Sequence, residues 1–289
     1  MKICILILTF NRVNEFKRVF FQTVKNTHYP ILINIDGPRN EDDKKKQDEI
    51  IDIIKKVDRD ISVNYNESNQ GCGSAIPTAV TWALGDFDSV IILEDDILPC
   101  SNFFKYITMQ LIQNQSNSEI FSITGHSLYQ HKSDYIVSLK SSYPSVWGWG
   151  IWKDRWIRYL NEYEQKNPIT RIRSLTDLNM WCMWSNIISD LNSNTLDTWD
   201  YQLAIYCYKK NLKTIIPSCS LTTNIGNTSD STHSIGRNEF YVDRRCCSKL
   251  LQDSFVNKDL THFFEKNVYG VRSYYFIKYF FAKLKNYVW

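Results

Sequence analysis

The chain of 289 residues is long enough for one large domain or two small ones. Apolar residues make up 43% of it and charged residues 22%, a balance typical of a globular protein and not of a disordered one. The formal net charge of +3 is too small to indicate a nucleic acid as partner. The sequence contains no run of about 18 apolar residues, the length that a helix needs to span a bilayer.

The first hundred residues alternate between strand and helix patterns. The apolar start, residues 3–9, is followed directly by Asn11 and Arg12, which predicts a buried first strand and not a signal peptide. Further strands are predicted at 31–35, 61–65 and 90–93, and helices at 13–25, 41–56 and 75–84. This order predicts a doubly wound, mostly parallel α/β sheet.

The second half of the chain has a less regular pattern. It predicts helices at 103–113, 177–191 and 199–210 and strands at 120–123 and 212–216. The segment 146–150, rich in Gly and Trp, is predicted to open a helix that runs to residue 159. No internal repeat is present, and no linker is long enough to force separate domains.

Three consecutive carboxylates, Glu94, Asp95 and Asp96, follow the apolar run 90–93. Such a run is typical of a strand buried on both faces, so the acids are predicted at its carboxyl end, where open α/β sheets bind ligands. Adjacent carboxylates repel one another, and an oxygen-rich group suits Mg²⁺ or Mn²⁺, which in turn bridge phosphate oxygens. The residues indicate a divalent-metal site for a nucleotide phosphate, with an ordinary acidic turn as the alternative.

The tail at 268–289 is basic and aromatic and contains no acid. A helix of this composition can lie in a membrane interface, and it can equally pack on the core. The eight cysteines show no metal-site spacing, and several fall in apolar segments, as reduced cysteines do. We therefore expect a cytoplasmic protein, peripheral on the inner face of the membrane if the tail binds it, with extracellular disulfides as the alternative.

Several motifs resemble those of the GT-A-fold glycosyltransferases. They include Asn11-Arg12 after the first strand, Asp36-Gly37 after the second, and the stretches 81–85, 92–97 and 103–106. The chain resembles in particular the alpha-mannoside beta-1,2-N-acetylglucosaminyltransferase I family and related bacterial sugar transferases, over roughly residues 3 to 235.

The resemblance implies a domain organisation. Residues 1–235 would form a GT-A (Rossmann-like) domain. Its first half, 1–107, would bind the nucleotide sugar, and its irregular second half, 108–235, would bind the acceptor. Residues 236–289 would form a C-terminal helical extension.

The resemblance also implies roles for residues near the donor. Asp96 would bind Mn²⁺ (or Mg²⁺) that bridges the two phosphates, Asp95 would hydrogen-bond near the ribose, and Glu94 would orient its neighbours. Arg12 and Asp36 would hold the uracil ring, with the carboxylate accepting the imide N–H. The simpler interpretations are a turn aspartate and a surface arginine at a helix start.

Four more residues gain a role in the same way. Asp200, in a Trp-Asp pair at a helix start, would be the catalytic base, and His233 a ligand of the metal or phosphate. Gly148 and Trp149 would shape the sugar pocket. An acid at a helix start, a histidine in a polar loop and a core tryptophan are the ordinary alternatives. One position departs from the family. Ala79 stands where the animal enzymes carry a histidine near the site that binds the nucleotide base, so the recognition of uridine and the identity of the donor sugar stay open.

Taken together, these features predict a metal-dependent, inverting glycosyltransferase. The donor would be a UDP-hexose or UDP-N-acetylhexosamine, and the acceptor a glycan in surface polysaccharide assembly, lipid-linked if the tail binds membrane. A sugar-1-phosphate nucleotidyltransferase is one alternative, although residues 9–12 lack its glycine-rich, basic phosphate loop. An inactive GT-A-fold carbohydrate-binding protein is another, although the acids and His233 are present together.

Overall fold

The computed structural model describes residues 1–129, 135–164, 178–193, 195–196, 198–226 and 250–267. The strands are β1 (Ile3–Thr9), β2 (Ile31–Ile35), β3 (Ile61–Tyr65), β4 (Ser89–Glu94), β5 (Ile97–Pro99), β6 (Ile120–Thr124), β7 (Tyr135–Ser141), β8 (Trp149–Trp152), β9 (Lys213–Pro217), β10 (Thr222–Asn224) and β11 (Leu250–Asp259). The helices are α1 (Val13–Asn26), α2 (Glu41–Lys55), α3 (Gly71–Asp86), α4 (Phe103–Gln113), α5 (Lys153–Glu164), α6 (Leu178–Asn192), α7 (Asp200–Lys209) and α8 (Thr261–Asn267).

Within these ranges the strands form one large sheet and one small one. The large sheet has nine strands in the order β11-β7-β9-β6-β8-β4-β1-β2-β3, and β10 pairs with β5. β1 is parallel to β2 and β4, β2 to β3, β6 to β9 and β7 to β11. β8 is antiparallel to β4 and β6, and β7 to β9. The predicted mostly parallel α/β sheet is confirmed.

The central strand β1 is buried at every position because helices cover both faces of the sheet. The side chains of Ile3, Ile5 and Ile7 point to one face of the sheet, where they pack with α1, α2 and α4. The side chains of Cys4, Leu6 and Leu8 point to the opposite face, where they pack with α3, α5 and α7. Successive strand side chains point to opposite faces, so a strand between two helical layers must be apolar throughout. This explains the unbroken apolar run at 3–8.

The strand order reverses at β1. The chain runs outward from β1 to β2 and β3, then returns through α3 to β4 on the other side of β1. Leu8 of β1 lies opposite Glu94 of β4. Open α/β sheets bind ligands in the crevice at such a reversal, outside the carboxyl ends of the strands. The three acids therefore border the place where a ligand is expected.

The predicted helix from 146–150 to residue 159 is wrong in its first part. Trp149–Trp152 is strand β8, which lies between β4 and β6, and α5 begins only at Lys153. The strand is buried on both faces, so its sequence does not alternate between apolar and polar residues. A short apolar run of this kind cannot be told from a helix by its period.

The C-terminal extension also differs from its prediction. Within 236–289 the structure has strand β11, which pairs in parallel with β7 of the large sheet, followed by helix α8. This part is therefore not purely helical and shares a sheet with 1–235. The tail 268–289, with its predicted membrane contact, lies outside the described residues. Of the helices in the described part, none is long and apolar enough to cross a membrane.

The cysteines follow the prediction at some positions only. Cys4 and Cys207 are buried thiols, and burial raises the pKa of Cys4 to about 12. Cys219, in contrast, is disulfide-bonded, so the expectation of reduced cysteines does not hold there.

Candidate functional site

Predicted site residues from three strands meet at one edge of the large sheet. Arg12 follows β1, Asp36 follows β2, and Glu94 ends β4. These strands are parallel neighbours in the order β4-β1-β2. Residues distant in sequence thus border the same crevice.

We call Glu94, Asp95 and Asp96 the acid corner. Asp95 and Asp96 are only 7% and 8% exposed. The end of β1 holds Asp95 in place, because its Oδ2 accepts hydrogen bonds from Thr9 Oγ1 at 3.1 Å and from the Phe10 amide at 3.3 Å. Both carboxylates are therefore largely shielded from water at the strand reversal, and Asp95 is fixed there by the end of β1.

Arg12 is the cation that contacts this corner. Its Nη1 lies 2.6 Å from Asp96 Oδ2 and 3.4 Å from Asp95 Oδ1, and its side chain is 26% exposed. Among the described residues, these are the ion pairs that the acid corner makes. The uracil contact predicted for Arg12 stays a prediction, and in this structure the guanidinium binds the acids instead.

The chain after β10 also packs against Asp96. The Ile225 amide donates to the Asp96 carbonyl oxygen at 2.8 Å. A Cβ at Gly226 would lie 2.1 Å from Asp96 Oδ2. Glycine is therefore needed at this position if Asp96 is to keep its side-chain conformation.

The acid corner carries more negative charge than Arg12 neutralises. Burial raises the pKa of Glu94 to about 8 and that of Asp95 to about 7, and repulsion by the neighbouring acids adds to both shifts. Burial also raises the pKa of Asp96, against the attraction of Arg12. Such shifts mark a place where further positive charge would stabilise the ionised carboxylates.

A divalent ion fits this arrangement by its chemistry. The candidate ligands are carboxylate oxygens, which hard cations prefer, and the surplus of negative charge matches a second cation. In the described ranges no group of three His, Cys, Asp or Glu side chains is arranged to hold an ion. Mg²⁺-type sites often use one or two carboxylates and complete their shell with phosphate oxygens and water. The predicted ligand His233 lies outside the described residues.

Asp200, the predicted base, reaches the same region from another element. It is the first residue of α7, and its charge contributes to the raised pKa of Glu94. Its Oδ1 accepts hydrogen bonds from the Tyr201 amide at 2.9 Å and from Thr198 Oγ1. Its Oδ2 accepts none from the residues described. One carboxylate oxygen is thus anchored, and the other is available to a ligand.

Asp36 is occupied by the protein itself. Oδ1 accepts from the Gly37 amide at 3.0 Å, Asn66 Nδ2 at 3.2 Å and the Gln70 amide at 3.0 Å. Oδ2 accepts from Asn69 Nδ2 at 3.0 Å and again from the Gln70 amide at 3.2 Å. A carboxylate offers about four lone-pair positions, so a uracil imide would have to displace one of these donors. Asp36 ties the end of β2 to the start of α3.

Gly148 and Trp149 are both packed closely; the pocket role of Gly148 stays a prediction, whereas that of Trp149 needs a correction. Gly148 has φ +78°, and a Cβ there would meet Thr222 Cγ2 at 2.7 Å and Phe103 Cε2 at 2.9 Å, so its glycine serves packing. Trp149 is 1% exposed and stacks on Trp199, with ring centroids 5.4 Å apart. A ring buried in this way presents no face to a sugar, so the pocket role predicted for Trp149 is wrong in this structure.

Sequence reasoning missed His126, which follows β6 at the same edge of the sheet. Its Nδ1 lies 3.1 Å from Ser220 Oγ, and its ring centroid lies 4.7 Å from that of the half-buried Trp147. Burial lowers the pKa of His126 to about 4, so the ring is neutral. Because Ser220 Oγ donates to Thr222 O at 2.8 Å, Nδ1 is the donor to that oxygen and Nε2 is an acceptor. Its position directly after a buried strand could have indicated a role.

No family model matches the sequence, and no curated protein is similar to it. Solved structures give fold similarities only. A mannosyltransferase from Pyrobaculum calidifontis, in complex with GDP-Man and Mn²⁺, matches with 7% identity over 72% of this chain and 69% of that one, at a TM-score of 0.42. S. aureus TarS 1–349 matches with 12% identity over 75% and 58%, at 0.43. The 4-diphosphocytidyl-2C-methyl-D-erythritol synthase of Anaerococcus prevotii matches with 11% identity over 73% and 96%, at 0.37.

The chain thus spans 58% of the TarS structure that it resembles. All three TM-scores lie below 0.5, so no functional argument rests on these similarities. The fold rests on the strand order and register given above.

Proposed function

We propose that the protein is an inverting glycosyltransferase that uses a nucleotide sugar and a divalent ion. The observation that carries the proposal is the buried acid corner at the strand reversal, together with Asp200, which lies near enough for its charge to raise the pKa of Glu94. The corner has the charge to hold an ion shared with a diphosphate. Asp200, from a separate helix, has one carboxylate oxygen, Oδ2, that accepts no hydrogen bond from the described part of the chain and could take a proton.

The reaction would use this chain's residues in separate roles. Asp200 Oδ2 would accept the proton of the acceptor hydroxyl as its oxygen bonds to the anomeric carbon, while the bond from that carbon to the nucleotide diphosphate breaks. Thr198 and Tyr201 would hold Asp200 in place through Oδ1. A divalent ion held by Asp96 and Asp95 would act as the Lewis acid for the departing diphosphate.

The alternative of nucleotidyltransfer has less support. That chemistry requires free cations near the first strand to receive a triphosphate. Here residues 9–12 contain one cation, Arg12, and no glycine-rich phosphate loop. An acid available as a base, Asp200, suits attack by a sugar hydroxyl better.

The test compares donor turnover by three variants in the presence of Mn²⁺ and a panel of nucleotide sugars. Asp200→Asn should bind donor normally and transfer about 10²–10⁴-fold more slowly, because it cannot take the proton. Asp96→Asn should lose metal-dependent donor binding. Asp86→Asn is the matched control, since Asp86 is an exposed acid at the far end of α3. Normal turnover by Asp200→Asn would remove the base assignment.

The donor would be a UDP-hexose or UDP-N-acetylhexosamine, and the acceptor a glycan of surface polysaccharide assembly. A lipid link on the acceptor, and a cytoplasmic site on the inner face of the membrane, depend on the tail 268–289. Liposome flotation of the full chain and of a version ending at Asn267, which keeps β11 and α8, tests this part. Equal recovery of both versions with the liposomes would contradict membrane binding by the tail.

A further inference from the structure

The bond between Arg12 and Asp96 occupies one of the two oxygens through which Asp96 could bind a divalent ion. Asp96 Oδ2 receives Arg12 Nη1 at 2.6 Å. Gly226 packs so closely against the same oxygen that a Cβ would lie 2.1 Å away. Two groups therefore crowd Asp96 Oδ2, and an ion that bound this oxygen would compete with the guanidinium for it.

Repulsion between the two positive groups also favours departure of Arg12 when an ion binds. A metal ion would bind a carboxylate oxygen at about 2.0–2.2 Å. With the guanidinium still at 2.6 Å from that oxygen, two positive groups would lie side by side in a largely buried place. The guanidinium of Arg12 can move into solvent, because its side chain is already 26% exposed and long charged side chains keep their charged ends in water.

We propose that Arg12 is an exchangeable counter-ion of the acid corner: it binds Asp96 in the ion-free protein and leaves that oxygen when a divalent ion binds. This inference rests on the metal site of the proposed function. It adds that the protein holds its own acids together before the ion arrives. Apparent ion affinity is then lowered by the Arg12–Asp96 bond that must break.

The experiment measures Mn²⁺ binding to the full chain without donor, by electron paramagnetic resonance of the free ion. Arg12→Gln removes the competing charge and should bind Mn²⁺ on the order of tenfold more tightly than the unaltered protein, the scale of one hydrogen bond to a charged group. Arg12→Lys keeps a charge with weaker bonding geometry and should fall between. Arg18→Gln is the control, since Arg18 is an exposed arginine on α1, the helix that begins directly after Arg12.

Thermal unfolding supplies a second readout. Without Mn²⁺, Arg12→Gln should melt below the unaltered protein, because the acids lose their counter-ion. Mn²⁺ should then raise its melting temperature by more than it raises that of the unaltered protein.

The outcomes separate the two proposals. Equal or weaker Mn²⁺ binding by Arg12→Gln would overturn the exchange, as would equal tightening by Arg18→Gln, which would indicate only the overall charge. If neither the unaltered protein nor any variant bound Mn²⁺, the metal site itself would fall, and the exchange with it. A Mn²⁺-soaked crystal that still held Arg12 Nη1 against Asp96 Oδ2 would contradict the exchange alone.

Discussion

Asp36 and the acid corner lie at the same edge of the sheet and differ in how the protein satisfies them. Asp36 accepts five hydrogen bonds from four protein donors. The acid corner has three carboxylates, one guanidinium and two donors from the end of β1. A carboxylate with its lone pairs filled is part of the framework. Carboxylates that lack positive charge have raised pKa values, and a bound cation would stabilise their ionised form.

The largest expected effect on stability is at Asp36. Asp36→Ala removes an acceptor from the Gln70 amide and from the side chains of Asn66 and Asn69, and should lower the free energy of unfolding by about 2–4 kcal/mol. Urea unfolding measures this. Mn²⁺ binding by the folded variant should be unchanged. A variant of normal stability would break the comparison, because Asp36 would then not be part of the framework.

Asp43 tests whether a second satisfied carboxylate behaves as Asp36 does. It is 2% exposed and accepts from Asn11 Nδ2 at 2.6 Å and from Arg39 Nε at 2.8 Å. The hydrogen bond from Arg39 lowers the pKa of Asp43 to about 2. Its unfolded pKa is higher, so its contribution to stability is present above about pH 4 and is lost as the pH falls toward 2.

The measurement is unfolding free energy between pH 5 and pH 2 for the unaltered protein and Asp43→Asn. The variant should be less stable at pH 5 by roughly 1–2 kcal/mol, reduced from the full linkage value because Arg39 is half-exposed. The difference should shrink as the pH falls. A constant difference across this range would contradict the role of the ionised carboxylate.

The smallest expected effect, and the one of opposite sign, is at Glu94. Burial and repulsion from Asp96 and Asp95 raise its pKa to about 8, so its charge is unfavourable in the folded protein. Glu94→Gln should therefore stabilise the ion-free protein by about 1 kcal/mol at pH 8. Mn²⁺ should remove this advantage. Destabilisation by more than a few tenths of a kcal/mol would show that Glu94 has a framework role like that of Asp36.

Much of the first half of the fold could be predicted because β1, β2 and β4 are largely apolar runs that end in polar residues, and because these strands alternate with helix patterns. β1, β2 and β3 have the predicted bounds, as does α4. Helix α3 begins four residues before its predicted start, at Gly71, where the amide of the preceding Gln70 is bonded by Asp36. That cap comes from another strand, so the local sequence does not display it.

The second half was harder for a physical reason. β8 is short and buried on both faces, and β7 and β11 pair with partners far away along the chain. Such pairings depend on tertiary packing more than on local propensity.

The same limit applies to the candidate site. The sequence predicted that three acids end β4, but it could not show that Arg12 would bind Asp96 or that Asp36 would be filled by Asn66 and Asn69. It also could not decide which of two nearby tryptophans, Trp147 or Trp149, would be buried.

The most direct test of the account is Mn²⁺ binding by the unaltered protein and by Asp96→Asn, with and without a nucleoside diphosphate. We expect saturable binding by the unaltered protein that strengthens with the diphosphate, and loss of that binding in the variant. Binding of equal strength in both, or none in the unaltered protein with the diphosphate present, would contradict the claim that the acid corner holds an ion for a nucleotide sugar.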